Sequence, residues 1–237
     1  VDGQALVLTD AGAERLRVPA QDAGPGLEMV VGALDLDAPE SSIVHITVRG
    51  HLLGILRGVE ERDGDQEEGN MLSSLVGDLV NKMRLTGGVR LTDAPRERTY
   101  SAVADLSQFV IASPTKRYVP LTPFRAVPSE IETRGSDTLP ITLDMRPNLR
   151  LTLHTDQGGW LPDSSAVQWG DETGPAHFRA SAHASEDGGS TVTYEFRQRT
   201  RQLEGDKRAA YINLATSYLD AKREVFTFRK PTPDPSP

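Results

Sequence analysis

Cysteine is missing altogether from this chain of 237 residues. No thiolate nucleophile, cysteine-ligated metal site or disulfide can be built from it, so the core must hold by burial alone. No apolar run approaches the ~18–20 residues that a membrane helix needs, and no membrane span is expected in this chain. Basic excess is missing too. A net charge of −8 argues against a nucleic-acid partner, whose phosphates demand a basic footprint. The charges are intermixed, with Arg197, Arg199 and Arg201 close to Glu204 and Asp206, as on a solvated surface. There is no Gly-x-Ser-x-Gly elbow, and Gly87-Gly88 lacks the Lys-Ser/Thr of a phosphate-binding loop. The chain opens at Val1 with no basic or apolar leader and runs almost directly into a strand pattern, which reads as a processed product or an excised piece.

What is present is period-two alternation. Between Ser42 and Gly50, Val44, Ile46 and Val48 fall on one face, while Ile43, His45, Thr47 and Arg49 fall on the other. Leu149, Leu151 and Leu153 repeat the pattern. From Thr191 to Arg199, Val192, Tyr194 and Phe196 point to a core and Thr193, Glu195, Arg197 and Arg199 to water. Shorter strands are expected at 5–9, 15–18, 29–36, 89–92, 99–106, 117–121, 141–145, 166–170, 176–183 and 225–228.

Two segments carry helical spacing instead. Met71, Leu72, Leu75, Val76, Leu79, Val80 and Met83 form one stripe near 70–84, stopped by Gly87-Gly88. A second helix is expected near 207–223, with Asp206 as N-cap and Tyr211, Leu214, Ala215, Tyr218 and Leu219 buried. Proline and glycine punctuate 120–140, which sets a boundary after residue 125. The expected fold is mainly β (α+β by strict count): two antiparallel sandwich-like domains, 1–125 and 126–229, each with one amphipathic helix. The Pro-rich tail 230–237 reads as extended and unfolded.

No constellation announces catalysis, a cofactor or a metal. His177 and His183 share a strand face with Arg179 between them, the wrong neighbour for a cation; His45, His51 and His154 are isolated. Asp63-Gly64-Asp65-Gln66-Glu67-Glu68-Gly69 is dense in acids but fails the spacing of a helix-loop-helix calcium site, and reads as a solvated loop before a helix. Trp160 and Trp169, each beside turn residues, are the candidate binding platform, offering flat apolar faces with polar edges to a sugar or peptide. Dispersed carboxylates that converge only in space leave a hydrolase as a further alternative.

The order of elements resembles a known family. Gln4-Ala5-Leu6-Val7-Leu8 followed by Arg15-Leu16-Arg17-Val18-Pro19 is similar to the passage after the catalytic core in large bacterial transglutaminase-like proteins, which carry an N-terminal β-rich domain of unknown function. The strands ending at Gly50, the helical stretch to Arg84, and Gly87-Gly88-Val89-Arg90-Leu91-Thr92 followed by strand 99–106 continue the likeness. Arg117-Tyr118-Val119-Pro120-Leu121-Thr122-Pro123-Phe124 resembles the family's short P-L-x-P-F junction, and 191–228 looks like its terminal domain. The resemblance covers most of 1–229. It implies a non-catalytic accessory region that packs on the parent catalytic core or docks a protein or peptide partner, in the periplasm or cell envelope of a bacterium. The parent would be a transglutaminase-like or cysteine-protease-like enzyme whose catalytic cysteine lies outside this chain. A free-standing carbohydrate- or protein-binding adhesion module is the main alternative.

Overall fold

Alternating apolar residues assemble the core strand by strand. The computed structural model describes residues 3–9, 12–18, 25–125, 141–142, 148–156, 159–163, 165–186, 188–200 and 202–230. The expected strand residues 143–145, most of the proline-punctuated join and the tail 231–237 lie outside these.

The protein is mainly β. Its large sheet has eight strands, in the order β12 (Ser165–Trp169), β13 (Ala176–Ala184), β14 (Ser190–Gln198), β10 (Leu149–Thr155), β3 (Leu27–Leu34), β4 (Ser42–Arg49), β6 (Glu97–Asp105), β5 (Arg84–Ala94). All neighbours are antiparallel except β3 and β10, which run parallel with Leu27 opposite Leu149, Met29 opposite Leu151 and Val31 opposite Leu153. A smaller sheet of four strands follows the order β11 (Leu161–Pro162), β16 (Val225–Arg229), β8 (Lys116–Pro120), β7 (Ile111–Ala112). β1 (Gly3–Thr9) pairs with β2 (Gly12–Val18), and β9 (Ile141–Thr142) with β15 (Gln202–Leu203).

The expected inward sets hold. Val44, Ile46 and Val48, Leu149, Leu151 and Leu153, and Val192, Tyr194 and Phe196 are all buried on one face of the large sheet. Over that face lie α1 (Gly50–Asp63) and α2 (Asp65–Leu79) beside β4, β5 and β6, and α3 (Gly205–Asp220) beside β12 and β13. The small sheet packs on it too. Tyr194 of β14 donates its hydroxyl to the Pro120 carbonyl of β8 and meets Phe226 of β16 at 6.1 Å between ring centres. Because β3 and β10 are neighbours, strands from 1–125 and from 126–229 share one sheet and one apolar core. The boundary read after residue 125 therefore divides a sheet rather than separating two packed units.

The first half carries α1 and α2 where the sequence suggested one helix near 70–84. Gly50, Gly54 and Gly58 disguise α1, each interior glycine costing about 1 kcal/mol against alanine. Burial of Leu53 and Leu56 outweighs that cost. The stripe of α2 continues through Val80 and Met83, but the helix stops at Leu79. There the chain turns extended and pairs with the segment after β8: Asn81 N–H donates to Pro123 C=O, and Arg125 N–H to Leu79 C=O. Phe124 is pinned from the other side, since the Tyr218 hydroxyl of α3 both accepts from its N–H and donates to its C=O, at 2.8 and 2.7 Å. Its ring meets Phe178 and Tyr194 edge-on.

Gly170 closes the β12–β13 turn at φ +77°, and a Cβ there would meet Ala176 O at 2.5 Å and Leu214 Cδ1 at 2.7 Å. Gly159 has a similar φ of +76° with nothing within 4 Å of a Cβ. Gly170→Ala should therefore cost about 2 kcal/mol or more, strain plus overpacking, and Gly159→Ala only the conformational part, about 1 kcal/mol. Urea midpoints at constant slope test the difference; equal losses would mean the close approach does not matter.

Candidate functional site

The acidic stretch that reads as a solvated loop is folded into the α1–α2 hairpin. Gly64, at φ +91°, ends α1 with its N–H on Glu60 C=O and starts α2 by accepting from Glu68 N–H. That turn brings Glu60 and Glu68 over β5 and β6. Glu68 is buried, and one carboxylate oxygen accepts from Arg98 and, at 2.5 Å, from the Tyr100 hydroxyl. Its other oxygen accepts from Arg90 at 2.5 Å. Arg98 also reaches Glu60 at 2.8 Å and Asp93 at 2.5 Å, and Arg57 joins Asp93 at 2.8 Å. Burial works against the charge of Arg98, but its bonds to Asp93, Glu68 and Glu60 outweigh that and raise its pKa further. Hydrogen bonds from Arg98 and then Arg57 hold the Asp93 carboxyl well below the usual range. Burial, then the Glu68 contact, pushes the Tyr100 phenol up.

Glu60, Asp65 and Glu68 have oxygens within 4.8 Å of one another, the spacing of a cation site. The Arg90 guanidinium stands among them, 2.8 Å from Glu60, 3.2 Å from Asp65 and 2.5 Å from Glu68. The cation here is an arginine, and the node locks the helical hairpin to the sheet.

Trp160 offers no open face. Trp160 is 3% exposed, donates Nε1–H to Asp37, and has Arg117 and Lys230 over its ring at 4.4 and 4.8 Å from the centroid. Trp169 stacks on Phe178 at 5.3 Å and meets Tyr218 edge-on. Trp160 is thereby removed from the candidate platform, whereas Trp169 is only half-buried. Trp160 anchors the Asp37 corner and Trp169 extends the aromatic core beneath α3. Sequence places both beside turns, but only the fold shows which side of each ring is covered. His177 and His183 both lie on β13, yet His177 is 4% exposed, with no partner for Nε2, while His183 is exposed.

The opposite face of the large sheet is the one with open chemistry. Its side chains are half-buried or exposed, and they form a ladder of alternating charge across the strands. Arg197 meets Glu195 at 2.5 Å, Arg150 meets Glu195 at 3.3 Å and Glu28 at 3.4 Å, and Arg49 meets Glu28 at 3.0 Å and Glu97 at 2.9 Å. Within this face Glu28, Arg150, Thr152, Arg179, Ser181, Thr193 and Glu195 line a shallow concavity of about 400 Å³ spanning β3, β10, β14 and β13. Burial opposes the charge of Glu195, but Arg197 and Arg150 prevail and lower its pKa. Arg150 bridges the two acids, and the lowered Glu195 is the opposite of the raised carboxyl that general-acid hydrolysis needs.

Sequence reasoning passed over this concavity. The outward faces of 149–154 and 191–199 are readable, but the meeting of Glu28 with Arg150 depends on a strand pairing between halves. No family model matches this chain, no curated protein matches it, and no solved structure matches its fold.

Removing Glu68 leaves Arg98 and Arg90 short of a buried counter-charge, so Glu68→Ala should destabilise by about 3 kcal/mol. Asp65→Ala, at a carboxylate 84% exposed, should leave the denaturation midpoint unchanged. Equal midpoints for the two variants would remove the node as a structural lock.

Burial lowers the pKa of His177, with Arg197 and Arg179 acting in the same direction and Glu172 and Glu195 opposing. The folded state therefore binds a proton less readily than the unfolded chain, whose imidazole titrates at about 6.5. The stability this confers is full above that pH and drains as pH falls below it toward the folded value. His177→Gln should flatten the fall in stability between about pH 7 and 5.5, measured by urea denaturation at each pH. An unchanged slope would assign that fall to other groups.

Proposed function

We propose that this chain is a non-catalytic accessory module that docks a protein or peptide partner on the outward face of its large sheet. The setting suggested by its element order is the catalytic core of a bacterial transglutaminase-like protein in the periplasm or cell envelope. The observation that carries the reading is the composition of that face. The cross-strand neighbours Ile43 and Val103 are 55% and 41% exposed, and Val89 beside them is 67% exposed. They lie on the same sheet face as the charge ladder. Apolar area next to paired charges is the make-up of a docking surface, the apolar part giving affinity and the charges register.

The burial of Trp160 takes away one of the two stacking surfaces that motivated a carbohydrate-binding module, and the arginine-bridged acids of the concavity lend no support to a hydrolase. The test is hydrogen exchange and cross-linking of the chain with a purified transglutaminase-like core. Protection is expected on β4, β6, β10 and β14, and the Ile43→Lys/Val103→Lys double variant should weaken binding at least tenfold. Protection confined to the helical face, or turnover of amine donors by the chain alone after clean purification, would overturn the proposal.

A further inference from the structure

We propose that the concavity across β3, β10, β14 and β13 recognises a peptide carboxylate, an Asp or Glu side chain of the partner, through Arg179 with the hydroxyls of Ser181 and Thr193. This rests on the reading of the outward face as a docking surface and names what that face selects.

Among the charged side chains lining the concavity, three are committed to one another. Arg150 reaches Glu28 at 3.4 Å and Glu195 at 3.3 Å. Glu28 gives its second oxygen to Arg49 at 3.0 Å, and Glu195 also accepts from Arg197. Arg179 stands directly opposite Glu195 across the β13–β14 pair, yet it makes no ion pair or hydrogen bond among the described residues. Its guanidinium is exposed. Two residues along the same face is Ser181, whose register partner is Thr193. Neither hydroxyl, nor that of Thr152, has a hydrogen-bond partner among the described residues. The concavity thus presents one unspent planar cation with neutral donors beside it. That is the complement of a carboxylate, which takes a guanidinium in a two-pronged geometry and accepts further hydroxyl bonds.

The neighbouring charges narrow the class. Glu28 and Glu195 repel anions, a penalty that grows with charge and so weighs more on a phosphate dianion than on a single carboxylate. No aromatic ring lines the concavity, so the stacking on which sugar recognition leans is missing and a uronic acid is disfavoured. The opening spans four strands and is shallow, suited to a side chain presented by a partner's surface.

The experiment titrates the intact chain with acetylated, amidated Gly-Glu-Gly, following backbone amides and arginine Nε–H signals by NMR. Saturable shifts are expected at Arg179 Nε–H and at the amides of Ser181 and Thr193, with millimolar affinity. The Gly-Gln-Gly analogue should bind about tenfold more weakly, the worth of one charge-assisted bond. Arg179→Gln should abolish the shifts while leaving the rest of the spectrum in place, and Arg179→Lys should retain weakened binding. Equal binding of the Glu and Gln peptides, no shifts up to about 20 mM peptide, or undiminished binding by Arg179→Gln would overturn the assignment. Inorganic phosphate or glucuronate binding more tightly than the Glu peptide would overturn the peptide carboxylate. Failure here, with the double variant at Ile43 and Val103 still losing its partner, would leave docking standing and remove only the carboxylate site.

Discussion

The parallel pairing of β3 with β10 is the constraint on which the rest of this molecule depends. Leu27, Met29 and Val31 meet Leu149, Leu151 and Leu153 across it, all fully buried. Burying each such side chain is worth about 1.5–3 kcal/mol, so the seam is a cohesive part of the core despite being the one parallel pair in the large sheet. With the inward residues fixed, the outward ones have no freedom. A slip of one residue would turn the leucines to solvent and Arg150 into the core. The same register sets Glu28 beside Arg150, so the apolar seam and the charge ladder are two faces of one pairing.

Charge is treated differently on the two faces. On the covered face, Glu68 and Arg98 are buried at 3% side-chain exposure in a network with Glu60, Asp93, Arg90 and Tyr100. Burying such groups costs free energy that their attraction only partly returns, so the node is better understood as fixing the position of the hairpin than as a large net source of stability. In it a glycine at positive φ turns α1 into α2 and points two acids, Glu60 and Glu68, at two arginines, Arg90 and Arg98. On the open face the ion pairs are half-solvated and each is worth little alone. Their effect is to hold long side chains in a defined arrangement, and Arg179 stands out because, among the described residues, that arrangement leaves it without a counter-ion.

Most of the strands were legible from alternation, because each buries one face and needs no knowledge of its neighbours. The inward sets of 42–50, 149–154 and 191–199 are seen as expected. What escaped were features decided by tertiary context. α1 is broken in sequence by Gly50, Gly54 and Gly58, yet it forms because Leu53 and Leu56 find the core. α2 stops short of its own apolar stripe because Phe124, held by Tyr218, captures the next residues into a bridge. Trp160 looks exposed beside glycines but is covered by Arg117, Lys230 and its bond to Asp37. The concavity was illegible for the same reason. Its residues come from four strands and both halves of the chain, and only their register brings them together.

The absent cysteine takes its meaning from this architecture. A chain without a thiol must perform any acyl chemistry with oxygen or imidazole. Here the carboxylates of the concavity are tied to arginines, and His177 is buried with its Nε2 facing no partner. The inward face of the sheet is packed by helices and a second sheet, and its outward face carries an exposed apolar pair and, among the described residues, the uncommitted guanidinium of Arg179. The docking proposed for such a surface would select by shape and charge, and the register of β3 on β10 is what aligns the two.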